Sequence, residues 1–573
     1  MKPKAALHWR TVAMLVAASA PGHGQWGWTT LVSRSETGGG ANGPSAQSAP
    51  SFDGRFVAYS SSASDLVGGD FNGVQDVFVR DTWAAFNRRV SVSSSGEEAN
   101  GPSGMDKCAI SGDGRFVVFS SAASNLVPGD TNGVTDVFVH DLLDSTTRRV
   151  SVGPGGLQLL GASDDATISV DGRYVAFDSL DSNLWPMDNN AKSDVFVVEL
   201  NSGALVCASV NSAGAPSSGE STRAALSDDG RWVAFSSSGV DLVSGDTNAT
   251  WDTFVRDLAS GQTWRVSVDS AGAQGNGPSN SVRVAISGDG RWVTFLSLAT
   301  NLVGADTNGF QDAFVHDLQS GVTERVSTDS SGQQSNDASA GCSMSSDGRY
   351  ITFGSYASNL VDGDTNGATD VFVKDRWNGR TARVSLDDAE QQGDGASSNA
   401  RISGDGRVVV FQSVATNLVP GDENGFSDVF QRDWQFHCDS NVAVYCIAMV
   451  NSIGQTALIG SEGSTSMTAN DFALTVSGCP PQRNGIFFFG CYETLVPFGE
   501  GMLCVTGQQR RLPMVHLDAA GAGRFALDFS DPLSPLSVIT PQAYWNFQFW
   551  YRDPQPVGHG FNLSNALRVQ FCP

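Results

Sequence analysis

Seven loops of the chain carry aspartate and asparagine at a spacing that suits a metal ion. Each has an Asp, an Asn two residues later, and a second Asp four residues after the Asn. Oxygen ligands at alternate positions of a turn, closed by a carboxylate, are what a hard cation such as Ca²⁺ requires. We therefore predict structural Ca²⁺ sites formed by Asp70, Asn72 and Asp76; Asp130, Asn132 and Asp136; Asp188, Asn190 and Asp194; Asp246, Asn248 and Asp252; Asp306, Asn308 and Asp312; Asp364, Asn366 and Asp370; and Asp422, Asn424 and Asp428.

The same loops also have a metal-free interpretation. Asp and Asn side chains stabilise turns by bonding to their own backbone, and Asn-Gly, present in five copies, favours left-handed loop geometry. The loops resemble the Asp-rich calcium loops of integrin-type propellers, but the first Asp of that pattern is present only at Asp362. A metal-free Asx turn explains the Asp-Xaa-Asn segment and leaves the closing Asp without a role. Both interpretations stay open.

No recognisable catalytic motif accompanies these loops. The sequence has no nucleophile elbow, no zinc-protease motif, and no Walker loop or dinucleotide fingerprint between a strand and a helix. His140 and His316 take a position held by Arg80, Arg256 or Lys374 in other copies of a repeat, so we interpret them as ordinary strand residues. The remaining histidines of the mature chain are His437, His516 and His559. We expect a protein without an enzymatic site.

The loops belong to an internal repeat that predicts the elements around them. Asp-Gly-Arg recurs at spacings of 58 or 60 residues, beginning at Asp53, Asp113, Asp171, Asp229, Asp289, Asp347 and Asp405. Each copy continues with a Val-Xaa-Phe run, the acidic loop, a Val-Phe-Val run and Arg-Val-Ser. Such β-branched and aromatic runs predict strands, and Asp-Gly between two of them predicts a tight hairpin. Four strands, A to D, make a sheet that cannot cover both its faces alone. We therefore predict an all-β, seven-bladed β-propeller.

The ends of the repeat array predict how the ring closes. The seventh copy ends at Asp433 without an Arg-Val-Ser strand, whereas residues 29–33 match Arg89-Val-Ser91. We expect the strand at 29–33 to complete blade seven and the propeller to span 25–436. In this topology the B–C loops share a face with the D–A linkers, opposite the Asp-Gly-Arg hairpins. The B–C loop face has the longer loops and is the expected ligand surface.

The repeat resembles a known family. The Ser-Xaa-Asp-Gly-Arg hairpin, followed by Val-Ala-Phe and a later Arg-Val-Ser, is similar to the TolB-like propeller repeat, which is related to WD-type repeats. The resemblance covers about residues 29–433 in seven copies. It implies a propeller whose relatives mostly bind proteins or accompany other modules, while a few propellers of this class are lyases or peptidase accessory domains. The family's usual Pro before Asp-Gly is absent, and Gly112, Val170, Asp228 and Ser346 stand in its place.

The N-terminus and the composition indicate export. Residues 1–24 have a basic start, an apolar run and small residues before Gln25, as in a secretory signal peptide; an uncleaved N-terminal anchor is the alternative. No later stretch has the apolar length of a membrane span. The net charge of −25 repels nucleic acid and anionic lipid. We expect a monomeric protein that is extracellular, on the cell surface or periplasmic, with no nucleic-acid partner and no transmembrane segment.

The residues after the repeats differ in composition. Positions 437–573 hold six of the nine cysteines, which in an exported protein predicts disulfides without specifying their pairing. Cys108, Cys207 and Cys342 of the propeller are predicted to be buried free thiols. Short alternating runs predict a small Cys-rich β-sandwich that resembles an uncharacterised C-terminal module of secreted bacterial proteins. The disulfide candidates are Cys438, Cys446, Cys479, Cys491, Cys504 and Cys572.

The function expected from these features is binding. A non-enzymatic secreted or surface protein, with a calcium-stabilised propeller as its platform and a protein or polysaccharide ligand at the B–C loop face, is our first interpretation. An extracellular propeller enzyme, a polysaccharide lyase or hydrolase, is the alternative. A structural envelope component is a third. A cluster of His, Glu or Arg that breaks the repeat pattern in the central channel would favour the enzyme, and a uniform Gly/Ser-lined channel would favour binding.

Overall fold

The computed structural model describes residues 27–185, 190–279, 283–434, 442–446, 448–465, 467, 470–507, 509–530, 536, 539, 544–554 and 560–571. The predicted signal peptide lies outside these residues, as do Asp188, His437, Cys438, His559 and Cys572. None of the helices in the described ranges is long and apolar enough to cross a membrane.

The prediction of an all-β propeller is confirmed. Over the propeller ranges that the structure describes, the strands form seven four-stranded antiparallel sheets, which we call blades one to seven. In chain order the strands are β1 (Trp28–Leu31), β2 (Ser45–Pro50), β3 (Phe56–Ser61), β4 (Asp76–Asp81), β5 (Phe86–Arg89), β6 (Ser103–Ile110), β7 (Phe116–Ser121), β8 (Asp136–Asp141), β9 (Thr146–Arg149), β10 (Val152–Gly153), β11 (Leu157–Gln158), β12 (Ser163–Ile168), β13 (Tyr174–Ser179), β14 (Asp194–Glu199), β15 (Leu205–Cys207), β16 (Ser221–Leu226), β17 (Trp232–Ser237), β18 (Asp252–Asp257), β19 (Gln262–Arg265), β20 (Ala285–Ile286), β21 (Trp292–Ser297), β22 (Asp312–Asp317), β23 (Thr323–Arg325), β24 (Ser339–Met344), β25 (Tyr350–Ser355), β26 (Asp370–Asp375), β27 (Thr381–Arg383), β28 (Ser397–Ile402), β29 (Val408–Ser413) and β30 (Asp428–Asp433). A 3₁₀ turn at Pro154–Gly156 joins β10 to β11.

Each blade contributes its first strand, strand A, to the middle of the ring. The A strands are β2, β6, β12, β16, β20, β24 and β28, and each contacts the A strands of both neighbouring blades, so the array forms a closed ring. Blade seven consists of β28, β29 and β30 with β1 as its outer strand. Trp28 lies opposite Asp433 and Leu31 opposite Phe430 in antiparallel register. The N-terminal segment therefore ties the first blade to the last.

The core of the propeller consists of aromatic and β-branched side chains. In each blade an aromatic residue of strand B packs against a Phe of strand C, as in the pair Phe119 and Phe138, whose ring centroids are 6.0 Å apart. These rings are fully buried, together with neighbouring valines such as Val117 and Val137. Offset stacking adds to the burial of apolar area, which is the main stabilising contribution. Apolar residues on both faces of the strands explain why a blade needs neighbours.

The Asp-Gly-Arg hairpins are built from local hydrogen bonds. In blade one, Ser51 Oγ donates to Asp53 Oδ1 at 2.8 Å and accepts the Phe56 N–H at 3.0 Å. Gly54 has φ +73°, the left-handed conformation that glycine adopts without strain. Arg55 then reaches the carboxylate of Asp81 at the end of strand C, 2.8 Å away. The motif thus fixes the A–B turn and joins strand B to strand C.

A continuous ring of backbone hydrogen bonds joins the hairpins of all seven blades. Phe52 N–H donates to Gly112 O at 3.0 Å, and Ser346 N–H donates to Gly404 O at 2.9 Å. The remaining donor–acceptor pairs are Gly112 to Val170, Asp171 to Asp228, Asp228 to Gly288, Gly288 to Ser346, and Asp405 to Phe52. Proline has no N–H to donate. This ring gives a physical reason for the missing Pro before Asp-Gly in five of the blades.

The described part of residues 437–573, which we call the C-terminal module, is also made of strands. They are β31 (Val442–Tyr445), β32 (Leu458–Glu462), β33 (Ala473–Ser477), β34 (Asn484–Gly490), β35 (Tyr492–Phe498), β36 (Gly501–Thr506), β37 (Arg510–His516), β38 (Gly523–Ala526), β39 (Tyr544–Arg552) and β40 (Phe561–Gln570). A five-stranded sheet has the order β31-β40-β39-β34-β37, and a three-stranded sheet has the order β32-β33-β38. Side chains of both sheets, including Leu474, Phe487 and Phe547, share one buried core.

The cysteines of this module have two different roles. Cys446 and Cys504 form a disulfide between the end of β31 and β36. Cys479 and Cys491 are free thiols, so their prediction as disulfide cysteines is wrong. Cys479 lies within the apolar core and Cys491 packs against it. These thiols fill the core as small apolar groups, a role that cysteine count alone does not distinguish from a disulfide. Cys108, Cys207 and Cys342 of the propeller are buried free thiols.

Candidate functional site

The acidic loops, all seven of them, form Asx turns. In blade one, Asn72 Oδ1 accepts the Val74 N–H at 3.1 Å, and its Nδ2 donates to Asp76 Oδ2 at 2.7 Å. The corresponding N–H bonds are present at Asn132, Asn190, Asn248, Asn308, Asn366 and Asn424. An amide N–H₂ group that faces a carboxylate acts as a donor, whereas a metal ligand must present an oxygen.

The closing Asp of each loop has a structural partner. In blade one, Ser91 Oγ donates to Asp76 Oδ1 at 2.5 Å and accepts the Val77 N–H at 3.0 Å. A serine bonds the closing Asp in the other blades in the same way, through Ser151, Ser209, Ser267, Ser327, Ser385 and, on the strand that closes blade seven, Ser33. The Ser of Arg-Val-Ser thus ties strand D to the loop. The closing Asp therefore has a role without a metal: it accepts a hydrogen bond within the fold.

An arginine lies between the two carboxylates in five of the loops. Arg89 Nη1 is 3.1 Å from Asp70 and 3.6 Å from Asp76. Arg149, Arg265, Arg325 and Arg383 take the same place in blades two, four, five and six. This guanidinium is the Arg of Arg-Val-Ser, and it is mostly buried beside the loop. It supplies the positive charge that we assigned to calcium.

Blades three and seven lack this arginine. Its position, opposite the Phe of strand C, is held by Cys207 in blade three and by Leu31 in blade seven. Asp188, the first carboxylate of the blade-three loop, lies outside the described residues. In blade seven, burial and the neighbouring charge of Asp428 raise the pKa of Asp422 to about 6. In the described acidic loop of blade seven, two aspartates therefore face each other without a guanidinium between them.

The geometry limits the number of loops to which the calcium prediction applies. Among the described residues, no group of three or more His, Cys, Asp or Glu side chains is arranged to hold a metal. The donor set of the five arginine-bearing loops does not fit Ca²⁺, because a guanidinium and an amide N–H₂ already face the carboxylates. Structural Ca²⁺ stays a prediction for the two loops without arginine, of which only the blade-seven loop is fully described.

The histidines of the propeller are structural. His140 is buried in strand C, and its Nδ1 shares a 2.8 Å hydrogen bond with Thr147 Oγ1. His316 makes the same contact with Thr323. Burial lowers the pKa of His140 to about 4. A neutral, buried imidazole bonded to a neighbouring strand fits the interpretation of these residues as strand positions.

The repeats differ from one another at one position in the central channel. Six residues before the Asp of each Asp-Gly-Arg, on strand A, the chain has a residue that we call the channel position. Its occupants in blades one to seven are Gln47, Lys107, Asp165, Arg223, Arg283, Gly341 and Asn399. Strand C repeats with few changes, as in DVFVRD, DVFVHD and DVFVKD, whereas at the channel position charge and size vary from blade to blade. The fold of the repeat therefore does not require one particular side chain at the channel position.

Strand A bulges at this position. Gln47, Asp165, Arg223 and Asn399 have φ between +49° and +64°, and the pairing with strand B shifts register beside each of them. Non-glycine residues in this left-handed region carry strain, which persists where the surrounding structure enforces it. Bulges of this kind occur often beside functional sites, where they re-aim a side chain.

Blades two and five present their channel residues differently. Their Asp-Gly-Arg copies follow the previous copy by 60 residues instead of 58. In blade two the extra length is within strand A, because β6 has eight residues where the A strands of most blades have six. Lys107 and Arg283, the channel residues of these two longer repeats, are 7% and 9% exposed. The unequal spacing of the repeats is thus a signal in the sequence that marks this site.

These residues surround a cavity of about 160 Å³ in the channel. Its charged lining residues are Lys107, Asp165, Arg223, Asp228, Arg283 and Arg401. Lys107 Nζ lies 3.5 Å from Asp165 Oδ1 and donates to Ala224 O at 3.1 Å. Arg283 Nη2 donates to Gln47 Oε1 at 2.7 Å. The cavity thus has four basic and two acidic side chains, in a chain whose net charge is −25.

Two guanidinium groups in the cavity have unused donors. Arg283 Nη1 and Arg401 Nε are buried without a hydrogen-bond partner among the described residues. Burial and the neighbouring Arg401 lower the pKa of Arg283 to about 9. Burial lowers the pKa of Lys107 to about 8, opposed by Asp165 and reinforced by Arg401 and Arg283. The cavity therefore holds more positive than negative charge.

Comparisons with known proteins support the fold and go no further. No protein-family model matches the chain, and no curated protein matches it. Solved structures with a similar fold include a TolB protein of Agrobacterium tumefaciens (16% identity, TM-score 0.33, covering 60% of this chain and 93% of that one). An oligogalacturonate lyase in complex with manganese is 12% identical, with a TM-score of 0.42, covering 71% and 96%. An acylaminoacyl peptidase of Pyrococcus horikoshii is 8% identical, with a TM-score of 0.40, covering 76% and 58%.

Proposed function

We propose that this chain is an exported, non-enzymatic binding protein that takes a protein or polysaccharide ligand at the B–C loop face of its propeller. The signal-like leader and the Cys446–Cys504 disulfide support export. Binding agrees with the role of most TolB-like propellers. The A strands, the hairpin ring and the arginine-bearing loops form a rigid platform, and a ligand gains affinity when its site is preorganised.

The observation that carries the proposal is an exposed apolar rim on three neighbouring blades. Leu298, Tyr356 and Val414 follow strand B of blades five, six and seven and are 48%, 59% and 52% exposed. The N–H of Leu298 donates to Pro278 O at 3.0 Å, and the N–H groups of the other two bond the equivalent linkers, which places the rim beside the start of strand A. Apolar side chains exposed at the same position of adjacent blades offer a surface that a ligand can cover.

A ligand whose capture depends on the rim residues would identify this surface as its binding site. The bait is the full chain, presented to an envelope fraction and to an array of purified polysaccharides. The test variant carries Leu298→Ser, Tyr356→Ser and Val414→Ser together. The matched control is Trp377→Ser, because Trp377 is also exposed but belongs to a C–D turn on the opposite face. Capture that the rim variant loses and the control keeps supports the proposal, and capture that both variants keep contradicts it.

An extracellular enzyme acting on polysaccharide is the second candidate. The observation that favours it is the basic cluster in the channel, which breaks the repeat pattern. Removal of a proton next to a carboxylate needs a base and cations that neutralise the carboxylate, and Lys107 beside Arg283 and Arg401 offers both. A uronate-containing polysaccharide would release unsaturated products with ultraviolet absorbance. Activity of the parent chain that Lys107→Met abolishes, with Arg524→Gln as the surface control, would select the enzyme.

A further inference from the structure

We propose that the channel cavity binds a small oxyanion, a carboxylate or a phosphate, between the guanidinium groups of Arg283 and Arg401 with the ammonium group of Lys107 beside it. The inference does not depend on the proposed function. It concerns the channel between the A strands, whereas the proposed ligand surface is the outer rim of the B–C loop face.

The cavity is basic in a chain that is acidic as a whole. Four basic groups and two acidic groups line the cavity, while acidic residues outnumber basic ones by 60 to 35 in the whole chain. Of the two acidic groups, Asp165 faces Lys107 and Asp228 accepts a hydrogen bond from Ser346. An anion that enters the cavity therefore meets an excess of positive charge.

The two guanidinium groups of the cavity have hydrogen-bond donors without partners among the described residues. A buried charged group without a partner costs free energy, and buried cations are usually paired with carboxylates. Arg283 is nine-tenths buried, yet its Nη1 has no partner within the described part of the chain, and the Nε of Arg401 has none there either. Guanidinium groups match carboxylate and phosphate oxygens with strong, charge-assisted bonds. A bound oxyanion would accept hydrogen bonds from both guanidinium groups.

The cavity also has the size of a small anionic group. Its volume of about 160 Å³ is close to that of engineered cavities that hold one benzene molecule in other proteins. A ligand or ligand group of about six heavy atoms fits such a space. Phe52, Ile110, Val170 and Met344 contribute apolar parts of the wall. The site therefore suits a single anionic group.

Binding should also change the protonation of Lys107. The charged groups that act on Lys107 are Asp165 and Asp178, which favour its ammonium form, and Arg283 and Arg401, which disfavour it. Near pH 8 an appreciable fraction of Lys107 is neutral. A bound anion favours the ammonium form, so Lys107 takes up a proton when the anion binds. Affinity should then decrease as the pH rises above 8.

The test is isothermal titration of the full chain with three probes: malonate, inorganic phosphate and the neutral isostere malonamide. We expect malonate or phosphate to bind at pH 7 and malonamide not to bind. Arg401→Gln and Arg283→Gln should weaken binding at least tenfold, Arg401→Lys should weaken it less, and Arg524→Gln, an equal loss of charge on the exposed surface, should change it less than twofold. Malonate alone would identify a carboxylate site, and phosphate alone would identify a phosphate site.

A measurement on the parent chain keeps the proposal testable even if the variants fold poorly. Titration of the better anion at pH 8.5 in two buffers of different ionisation enthalpy measures proton exchange directly. Net proton uptake, absent at pH 6.5, supports the assignment to Lys107. The proposal is overturned if neither anion binds, if malonamide binds as well as malonate, if the two arginine variants bind like the parent, or if binding takes up no proton at pH 8.5.

Discussion

At the scale of single residues, the acidic loops show how one sequence pattern serves two interpretations. The Asp and Asn spacing predicts a cation between the carboxylates, and a cation is there in five blades. It is a guanidinium from the Arg-Val-Ser strand, 3.1 Å from Asp70 in blade one. The loop sequence alone could not reveal this, because Arg89 is 13 residues beyond the closing Asp76 and reaches the loop only after strands C and D pair. Correlating loop and strand across the seven copies, including the exceptions Cys207 and Leu31, would have found it.

The aspartate pair of blade seven predicts a stabilising substitution. The pKa of Asp422 is raised to about 6 from 3.8, so its protonated form stabilises the fold at low pH, and this stabilisation is lost as the pH rises through 6. Asp422→Asn removes the repulsion between the ionised carboxylates. With chelator present, we expect it to raise the free energy of unfolding by about 1 kcal/mol at pH 7 and to change it little at pH 4. Urea denaturation at the two pH values measures both effects.

The control for that substitution is Asp364→Asn in blade six. Burial and Asp370 also raise the pKa of Asp364, but Arg383, 3.4 Å away, opposes them. We therefore expect Asp364→Asn to stabilise the chain less than Asp422→Asn does at pH 7. Equal effects of the two substitutions would contradict the distinction that we draw between the loops.

Calcium gives a second measurement on the same loop. If Asp422 and Asp428 hold Ca²⁺, millimolar calcium should raise the melting temperature of the parent chain, because an ion that binds only the folded state stabilises it by mass action. We expect the rise to disappear in Asp422→Asn and to persist in Asp364→Asn. An unchanged melting temperature of the parent across chelator and calcium would leave the Asx turn as the whole explanation of the loop.

At the scale of elements, strand A combines positions that repeat from blade to blade with a channel position that does not. Its outer residues repeat because they bury apolar area and join the hairpin ring, and this part of the fold followed from the sequence pattern. The bulge at the channel position has no such signal, since Gln47, Asp165 and Arg223 share neither size nor charge. A positive φ at residues other than glycine is set by the pairing of β2, β12 and β16 with their neighbours. Only the unequal repeat spacing of 58 and 60 residues pointed to this strand.

The hairpin ring predicts the effect of restoring the family's proline. Ser346→Pro removes the N–H that donates to Gly404 O at 2.9 Å, and we expect a loss of about 1–3 kcal/mol in the free energy of unfolding. Ser346→Ala keeps the N–H and should lose less. Val170→Pro is the matched control, because in blade three the ring is continued by Asp171 N–H instead of the residue before it. Thermal unfolding that ranks Val170→Pro as the more damaging of the two prolines would contradict the role given to the ring.

At the scale of the whole molecule, the propeller and the C-terminal module differ in how cysteine stabilises them. Reductant should cleave Cys446–Cys504 and destabilise the module while the propeller, whose cysteines are free, melts unchanged. Alkylation of the unfolded chain without reductant should label Cys108, Cys207, Cys342, Cys479 and Cys491. Mass mapping checks both statements. A bridge that includes any of these five cysteines, or a labelled Cys446, would contradict them.

Closure of the ring predicts a large effect of a small deletion. Removal of Trp28–Ser33 takes away β1 and Ser33, which leaves the edge of β30 unpaired and Asp428 without its serine. We expect a cost on the order of 5 kcal/mol, a large share of a domain's stability, together with aggregation through the open edge. Melting and light scattering measure the two effects. The single substitution Thr30→Ala, within a retained strand, is the control and should be tolerated.

The pairing of β1 with β30 also sets an order of events during synthesis. Trp28 emerges from the ribosome about 400 residues before its partner Asp433, so the first strand to be made is the last to find its place. Blades that form early can stack on one another. The ring nevertheless stays open, with an exposed edge at each end, until the final repeat has been translated. Contacts this distant along the chain form slowly. If the chain is exported unfolded, as the proposed function implies, late closure is an advantage, because the ring cannot close until nearly the whole propeller has been released.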